Sequence, residues 1–337
     1  MPIHSISRNS RQLSGVLLLC TTVAVASAQT YQAVGEYKLP GSSAKSLAVD
    51  TASRRLFVAG DQGIAVLNAD NGSSLGMIPL KDAEDVLLIP VMNGDENAAS
   101  IKGFATAKGK IVSFSLADLK LSDVGKLPTA GAASLCYDED SKTLEVVSAG
   151  GSLVTVDSDT DKILHTERIT TGAGQISCGT LNHVYVADTE ANVVHVLNHE
   201  TGKNDGDLPM MTGHKPSGMT LDTKGRRLFV ACEDGVIEII DTDSGFTFIQ
   251  LHGGTGPASG TFAWTPQGKG QWKAAAFIAQ QDGTLTGVRM NAFINYSVGG
   301  KYKLSPGLAD VAYDEQTHHL FLTAIHSGLP VVVVAGY

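Results

Sequence analysis

No cluster of basic residues occurs in this sequence. Lys and Arg number 25 against 34 Asp and Glu over 337 residues, a formal net charge of −9 at pH 7. Nucleic-acid binding depends on neutralising phosphates with Lys and Arg. The balance therefore argues against a polyanionic partner and favours a cationic or metal-bridged one. Sustained helical periodicity is also missing, and the apolar run Val16–Ala26 is too short to cross a bilayer comfortably. The motifs of several catalytic classes are absent: no Gly-x-Ser-x-Gly elbow, no His-Glu-x-x-His pair, no Cys-x-x-Cys, and no phosphate-binding glycine loop opening a helix. Cysteine is scarce as well, at four residues. Three of them, Cys136, Cys178 and Cys232, lie beyond the apolar run. They read as buried, unpaired strand residues; at most one pair can form among them, and the sequence does not choose it.

What is present begins with a leader. Arg8 and Arg11 precede the apolar run, and Ala26-Ser27-Ala28 gives a small-x-small cleavage site before Gln29. That order is a secretory signal, so residues 1–28 are read as a signal peptide and 29–337 as the exported domain, secreted or periplasmic, with no span after cleavage. Losing the two arginines takes the formal charge from −9 to −11.

The exported part repeats. Asp50-Thr51, Arg54-Arg55 and Leu56-Phe57-Val58-Ala59 return as Asp222-Thr223, Arg226-Arg227 and Leu228-Phe229-Val230-Ala231, an offset of 172 residues, or four times 43. A turn residue opening an alternating strand recurs at Gly63, Gly109, Gly151, Asn192, Gly235, Gly283 and Gly328. Each unit carries an apolar strand, a β-rich strand, this alternating strand and a fourth strand. Such units of about 40–50 residues are propeller blades. The seventh unit lacks its fourth strand, while "EYKLP", Glu36 to Pro40, is a strand without a unit. The fold expected is thus all-β: a seven-bladed β-propeller, one domain, its ring closed by the N-terminal strand completing the last blade.

The segment "PSGMTLDTKGRRLFVACEDGVIEIIDTDSG", Pro216 to Gly245, resembles the YVTN-type propeller repeat. It carries the Pro-x-Gly entry, the Asp-x-x-Gly-Lys/Arg turn, the Phe-Val-Ala strand and the Ile-Asp-x-x-Ser-Gly turn. Units one, four and five match well and the others are degenerate. The resemblance implies the propeller fold. For function it implies a family that includes exported binding proteins, surface-layer-associated proteins and a few lactonase-like or lyase-like enzymes.

In a propeller, the loops entering the innermost strands share one face with the loops between second and third strands. Aligning the entries on Pro216-Ser217-Gly218 gives a ring of middle residues: Lys45, Glu84, Ala133, Gly174, Ser217, Ser259 and Ala309. The next residues are Ser46, Asp85, Ser134, Gln175, Gly218, Gly260 and Asp310. The ligand-binding candidates at this mouth are Lys45, Glu84, Asp85, His214, Ser217, Ser259 and Asp310. Glu84, Asp85 and Asp310 come from neighbouring blades and are the candidate ligands of a divalent cation; alternatively, Glu84 and Lys45 form a salt bridge of no chemical consequence. Asp61, Lys108, Asp188, Glu190, Glu233, Asp234, Asp282 and His326 add a largely acidic rim. His214 and Lys215, in the entry to unit five, are the general-base candidates nearest the mouth. His195 and the pair His318-His319 read as structural.

The primary expectation is an exported, monomeric, non-catalytic binding or scaffold propeller without a cofactor, using the loop face around its channel. The alternative is a metal-assisted lactonase-like hydrolase or lyase with carboxylates at the channel mouth.

Overall fold

Short apolar alternations cut by Gly, Asp and Asn leave the chain one regular option, the strand. The computed structural model describes residues 30–89, 102–128, 133–170, 172–179, 182–266, 272–292 and 294–336. The expected signal peptide lies outside the described residues, as do 91–101 and 267–271 of the two long turns. Among the described residues there is no helix, and 28 strands form seven four-stranded sheets. The blades are the seven repeats. The innermost strands are Ala44–Asp50, Ala83–Ile89, Ala133–Asp138, Ala173–Cys178, Pro216–Asp222, Pro257–Pro266 and Asp310–Tyr313. Gln32–Lys38 pairs antiparallel with Leu329–Gly336 and supplies the fourth strand of blade seven. The ring is therefore closed by the two ends of the chain, as expected, and a blade edge that would invite aggregation is covered.

The recurring glycine has a backbone cause. Gly63, Gly109, Gly151, Gly235, Gly283 and Gly328 all have positive φ, from 75° to 146°, and Asn192 adopts 59° in their place. The hairpin between second and third strands demands a left-handed residue at this point, which glycine and asparagine supply at least cost.

Between blades, the packing rests on one position of the second strand. Phe57 of blade one joins Ala105 and Ala107 of blade two, and Phe104 of blade two joins Leu144 and Val146 of blade three. Tyr185, Phe229, Phe277 and Phe321 repeat the arrangement around the ring, Phe321 meeting Leu56 and Val58 of blade one. Each buried aromatic contributes about 2–3 kcal/mol of hydrophobic stabilisation. Blade three has Glu145 instead. It pairs with Cys136 as Phe57 pairs with Ala48, and it is fully buried.

The hairpin glycines separate two costs of substitution. A Cβ at Gly109 would meet no atom within 4 Å, whereas at Gly283 it would lie 2.8 Å from the Ser305 carbonyl oxygen. Gly109→Ala should cost about 1 kcal/mol, from left-handed strain alone. Gly283→Ala should cost clearly more, about 2–3 kcal/mol, because backbone must also move. Urea denaturation of both variants checks this, and equal losses would mean that the close approach at Gly283 does not exist.

Candidate functional site

At the entry of most blades the innermost strand slips one residue against its partner. Register shifts fall between Ala44 and Ser46, Ala83 and Asp85, Pro216 and Gly218, and Pro257 and Ser259. A bulge leaves its extra residue unpaired and re-aims the side chains beside it. Lys45, Glu84 and Ser217 are such bulge residues, displayed at the mouth, while Ser46 and Asp85 sit one step further in. In blade six the bulge residue is Ala258. Ser259 pairs with Ala279 as Gly218 pairs with Ala231, so Ser259 belongs to the inner ring and Gly260 does not. The expected register was off by one in this blade.

The inner ring is a girdle of hydrogen bonds. Leu47 N of blade one donates to Asp310 Oδ2 of blade seven at 2.8 Å. Ser46 Oγ donates to Asp85 Oδ1 at 2.5 Å, and Leu135 N of blade three donates to Asp85 Oδ2 at 2.8 Å. Ile176 N of blade four reaches Ser134 Oγ at a long 3.5 Å. Met219 N of blade five donates to Gln175 Oε1 at 2.5 Å. Because Gly218 has no side chain to continue the series, Gln175 Nε2 crosses to Ser259 Oγ of blade six at 3.2 Å, and Ser217 Oγ donates to the Pro257 carbonyl at 3.1 Å. The Ser259 hydroxyl of blade six favours the charged form of the Asp310 carboxyl in blade seven. Six of the seven junctions between blades carry at least one of these bonds.

The girdle surrounds a central cavity of about 810 Å³ lined by Lys45, Glu84, Asp85, Gln175, Ser217, Ser259 and Asp310, among others. Its electrostatics are uneven. Burial, then the neighbouring charge of Asp310, raises the Asp85 carboxyl to about 7, and the bonds from Ser46, Leu135 N and Val86 N only partly offset this. Asp310 is likewise raised by burial, against the bonds from Ser259, Leu47 N, Val311 N and Ser46. The Ser46 hydroxyl thus lies between two carboxyl groups that disfavour each other's charge. Glu84 is raised by burial while Lys45 opposes the shift, and its buried Oε2 has no hydrogen-bond partner.

The structure brings six of the seven ligand-binding candidates together at the channel. His214 is exposed at the blade-five entry turn, its N–H on Asp234 Oδ2 at 3.1 Å, and it does not line the cavity. Glu84, Asp85 and Asp310 all line it, yet the oxygens of Asp85 and Asp310 are occupied by N–H and O–H donors. Among the described residues no group of three His, Cys, Asp or Glu could hold a metal ion. His195 is a satisfied strand residue, its Nδ1 2.7 Å from Asp207 and its Nε2 3.1 Å from Asp188. His318 Nδ1 meets the Tyr313 hydroxyl at 2.8 Å, away from the mouth.

Two features went unseen in the sequence. Gln175 is the widest-reaching member of the girdle, and its only signal was a long polar side chain beside a blade whose ring position is glycine. The cysteines also correct the expectation. Cys136 and Cys178 are joined by a disulfide between the innermost strands of blades three and four, both half-buried in the cavity wall. Among the described residues Cys232 is the one free cysteine, and it is buried. No family profile matches the chain, and no curated protein matches it.

The raised carboxyls fix the sign of a pH effect. Asp85 and Glu145, the latter pushed up to about 8 chiefly by burial, hold protons in the fold that the unfolded chain releases near pH 4. Their stabilisation is complete below the unfolded values and is lost as pH rises through about 7 and about 8. The melting midpoint should therefore fall between about pH 5 and about pH 8. Asp85→Asn and Glu145→Gln should each flatten that slope by about one linked proton. Melting curves across the range decide it; a variant with the wild-type slope would show that its carboxyl does not titrate there.

Proposed function

We propose that this chain is an exported, non-catalytic binding propeller of the YVTN-repeat type, whose partner docks on the mouth face and enters the channel. The observation that carries this reading is a division of labour at the entries of blades one and two. The inner-ring side chains Ser46 and Asp85 are committed to bonds between blades, while the bulge residues Lys45 and Glu84 are left at the mouth. Seven entry loops around one cavity of mixed polar and apolar lining suit recognition, because a rigid ring holds them in fixed relation. The order of basic, apolar and small residues in the leader supports export.

The ligand class follows from charge. Glu84 offers an oxygen without a donor, and the surrounding rim carries Asp61, Asp234 and Asp282, whereas the expected rim residue Asp188 is buried against His195. A ligand bearing an ammonium or guanidinium group satisfies the one and is drawn by the other. The lactonase-like alternative asks Asp85 and Asp310 to exchange girdle bonds for a metal ion, at the expense of the junctions they hold.

Thermal shift measurements at about pH 8, where the mouth carboxylates are more fully ionised, test the reading with arginine methyl ester as the cationic probe and succinate as the anionic one. The cation should raise the melting midpoint, since binding to the native state alone stabilises it. Glu84→Gln should remove most of the shift, and succinate should give none. Equal shifts with both probes would sink the charge argument. A shift with calcium or zinc alone, lost in Asp310→Asn, would put the metal-assisted enzyme ahead.

A further inference from the structure

The junction between blades three and four is built unlike the other six. Its apolar cluster holds only Val147, Leu153, Ile176, Val184, Val186 and Leu197 as buried members and contains no aromatic ring. The position that carries Phe or Tyr elsewhere is Glu145, whose Oε2 takes a 2.6 Å bond from Thr155 Oγ1 while Oε1 has no partner. Around it the polar theme continues. Thr155 Oγ1 also meets His165 Nε2 at 2.9 Å, and the buried His199 of blade four lies 3.9 Å from Asp138 of blade three, its Nδ1 without a hydrogen bond. The girdle bond here is long: Ile176 N reaches Ser134 Oγ at 3.5 Å.

The only disulfide among the described residues, Cys136–Cys178, crosses this junction and no other. Both cysteines line the cavity and are half-buried, so the bond faces a space of about 810 Å³ and not the packed interior of a blade. Thiol–disulfide exchange requires that a thiolate approach one of the sulfurs, and access decides whether it does. Cys232 is a built-in contrast: it is buried in blade five, where burial keeps it a protonated, unreactive thiol.

We propose that the Cys136–Cys178 disulfide is an exchangeable clasp: a small thiol entering the channel cleaves it, and cleavage loosens the junction between blades three and four. The thiolate attacks one sulfur and forms a mixed disulfide with that cysteine. The other sulfur leaves as a thiolate and takes a proton from water. A second thiolate then attacks the external sulfur of the mixed disulfide and expels the cysteine as a thiolate, so that two thiols are oxidised to one external disulfide and both cysteines are reduced. The girdle bond of Ser134, two residues before Cys136, is then left to hold the innermost strands together.

The test treats the folded full-length chain with dithiothreitol in the absence of denaturant, alkylates it and maps the labelled cysteines by mass spectrometry. Cys136 and Cys178 should be labelled and Cys232 should not. The melting midpoint should drop by about 5 °C, the order expected when a disulfide closing a loop of this size is lost. Amide exchange in Ala133–Asp138 and Ala173–Cys178 should rise at least about tenfold more than in the innermost strands of the other blades. The variant carrying both Cys136→Ser and Cys178→Ser should show the same local pattern without reductant. Reduction that occurs only in unfolding concentrations of denaturant would overturn the proposal. So would an exchange increase spread evenly over all seven junctions, or none at all.

Discussion

Seven sheets whose backbone ladders do not join must be held in a ring largely by side chains. A few loop bonds help, such as Asp82 N to the Asp61 carbonyl and Gly307 N to the Gln281 carbonyl. In most folds the backbone ladder joins neighbouring elements. Here each ladder ends at the edge of its blade, and no described strand belongs to two sheets. Two layers of side chains do the joining. Outside lies the apolar layer, where an aromatic residue of one blade packs against the second strand of the next. Inside lies the polar girdle, each bond of which nets about 1 kcal/mol in protein interiors. The apolar layer supplies most of the energy. The girdle sets the register of the innermost strands, because a hydrogen bond has a direction and a packed methyl group has little.

This arrangement constrains function at the mouth. A residue that ties two blades together cannot release its partners to bind a ligand without weakening the ring. Asp85 and Asp310 each spend one oxygen on the N–H of their own strand, Val86 and Val311, and the other on a neighbouring blade. Lys45 and Glu84 carry no such duty, being the extra residues of bulges. The bulge therefore does more than bend a strand. It separates the residue that holds the ring from the residue that faces what enters it, one position apart in the sequence.

Much of this was legible in the residues. The period, the seven left-handed turn positions and the unpaired strand at Glu36 to Pro40 gave the blade count and the closure, because each reflects a local backbone requirement. Register at the mouth was legible except in blade six. There Pro257-Ala258-Ser259-Gly260 offers Ser-Gly as a match to Ser217-Gly218, and only the prolines align it correctly. The girdle was not legible as such. Whether Asp85 faces a ligand or the Leu135 N–H depends on the distance between strands some 50 residues apart, which no periodicity encodes. The disulfide escaped for a related reason. Cys136 stands opposite Glu145, whereas in blade four it is Ser177 that stands opposite Tyr185, so Cys178 is one residue out of phase with Cys136. Equivalent repeat positions were the natural place to seek a pair, and this pair is not equivalent.

The polar junction at blades three and four can be weighed against the other six. Exchanging a buried phenylalanine for a buried carboxyl forfeits about 2–3 kcal/mol of apolar burial. Leaving Oε1 without a partner adds about 1–3 kcal/mol of desolvation. A protonated Glu145 avoids the far larger cost of a buried charge, which is the physical meaning of its raised titration. Together these losses are about 3–6 kcal/mol, of the same order as the 2–5 kcal/mol that a native disulfide contributes. Blades three and four therefore exchange a non-specific apolar contact for one covalent bond of similar worth. What changes is the character of the joint. Apolar packing weakens gradually along with the rest of the fold, whereas a disulfide is either present or absent.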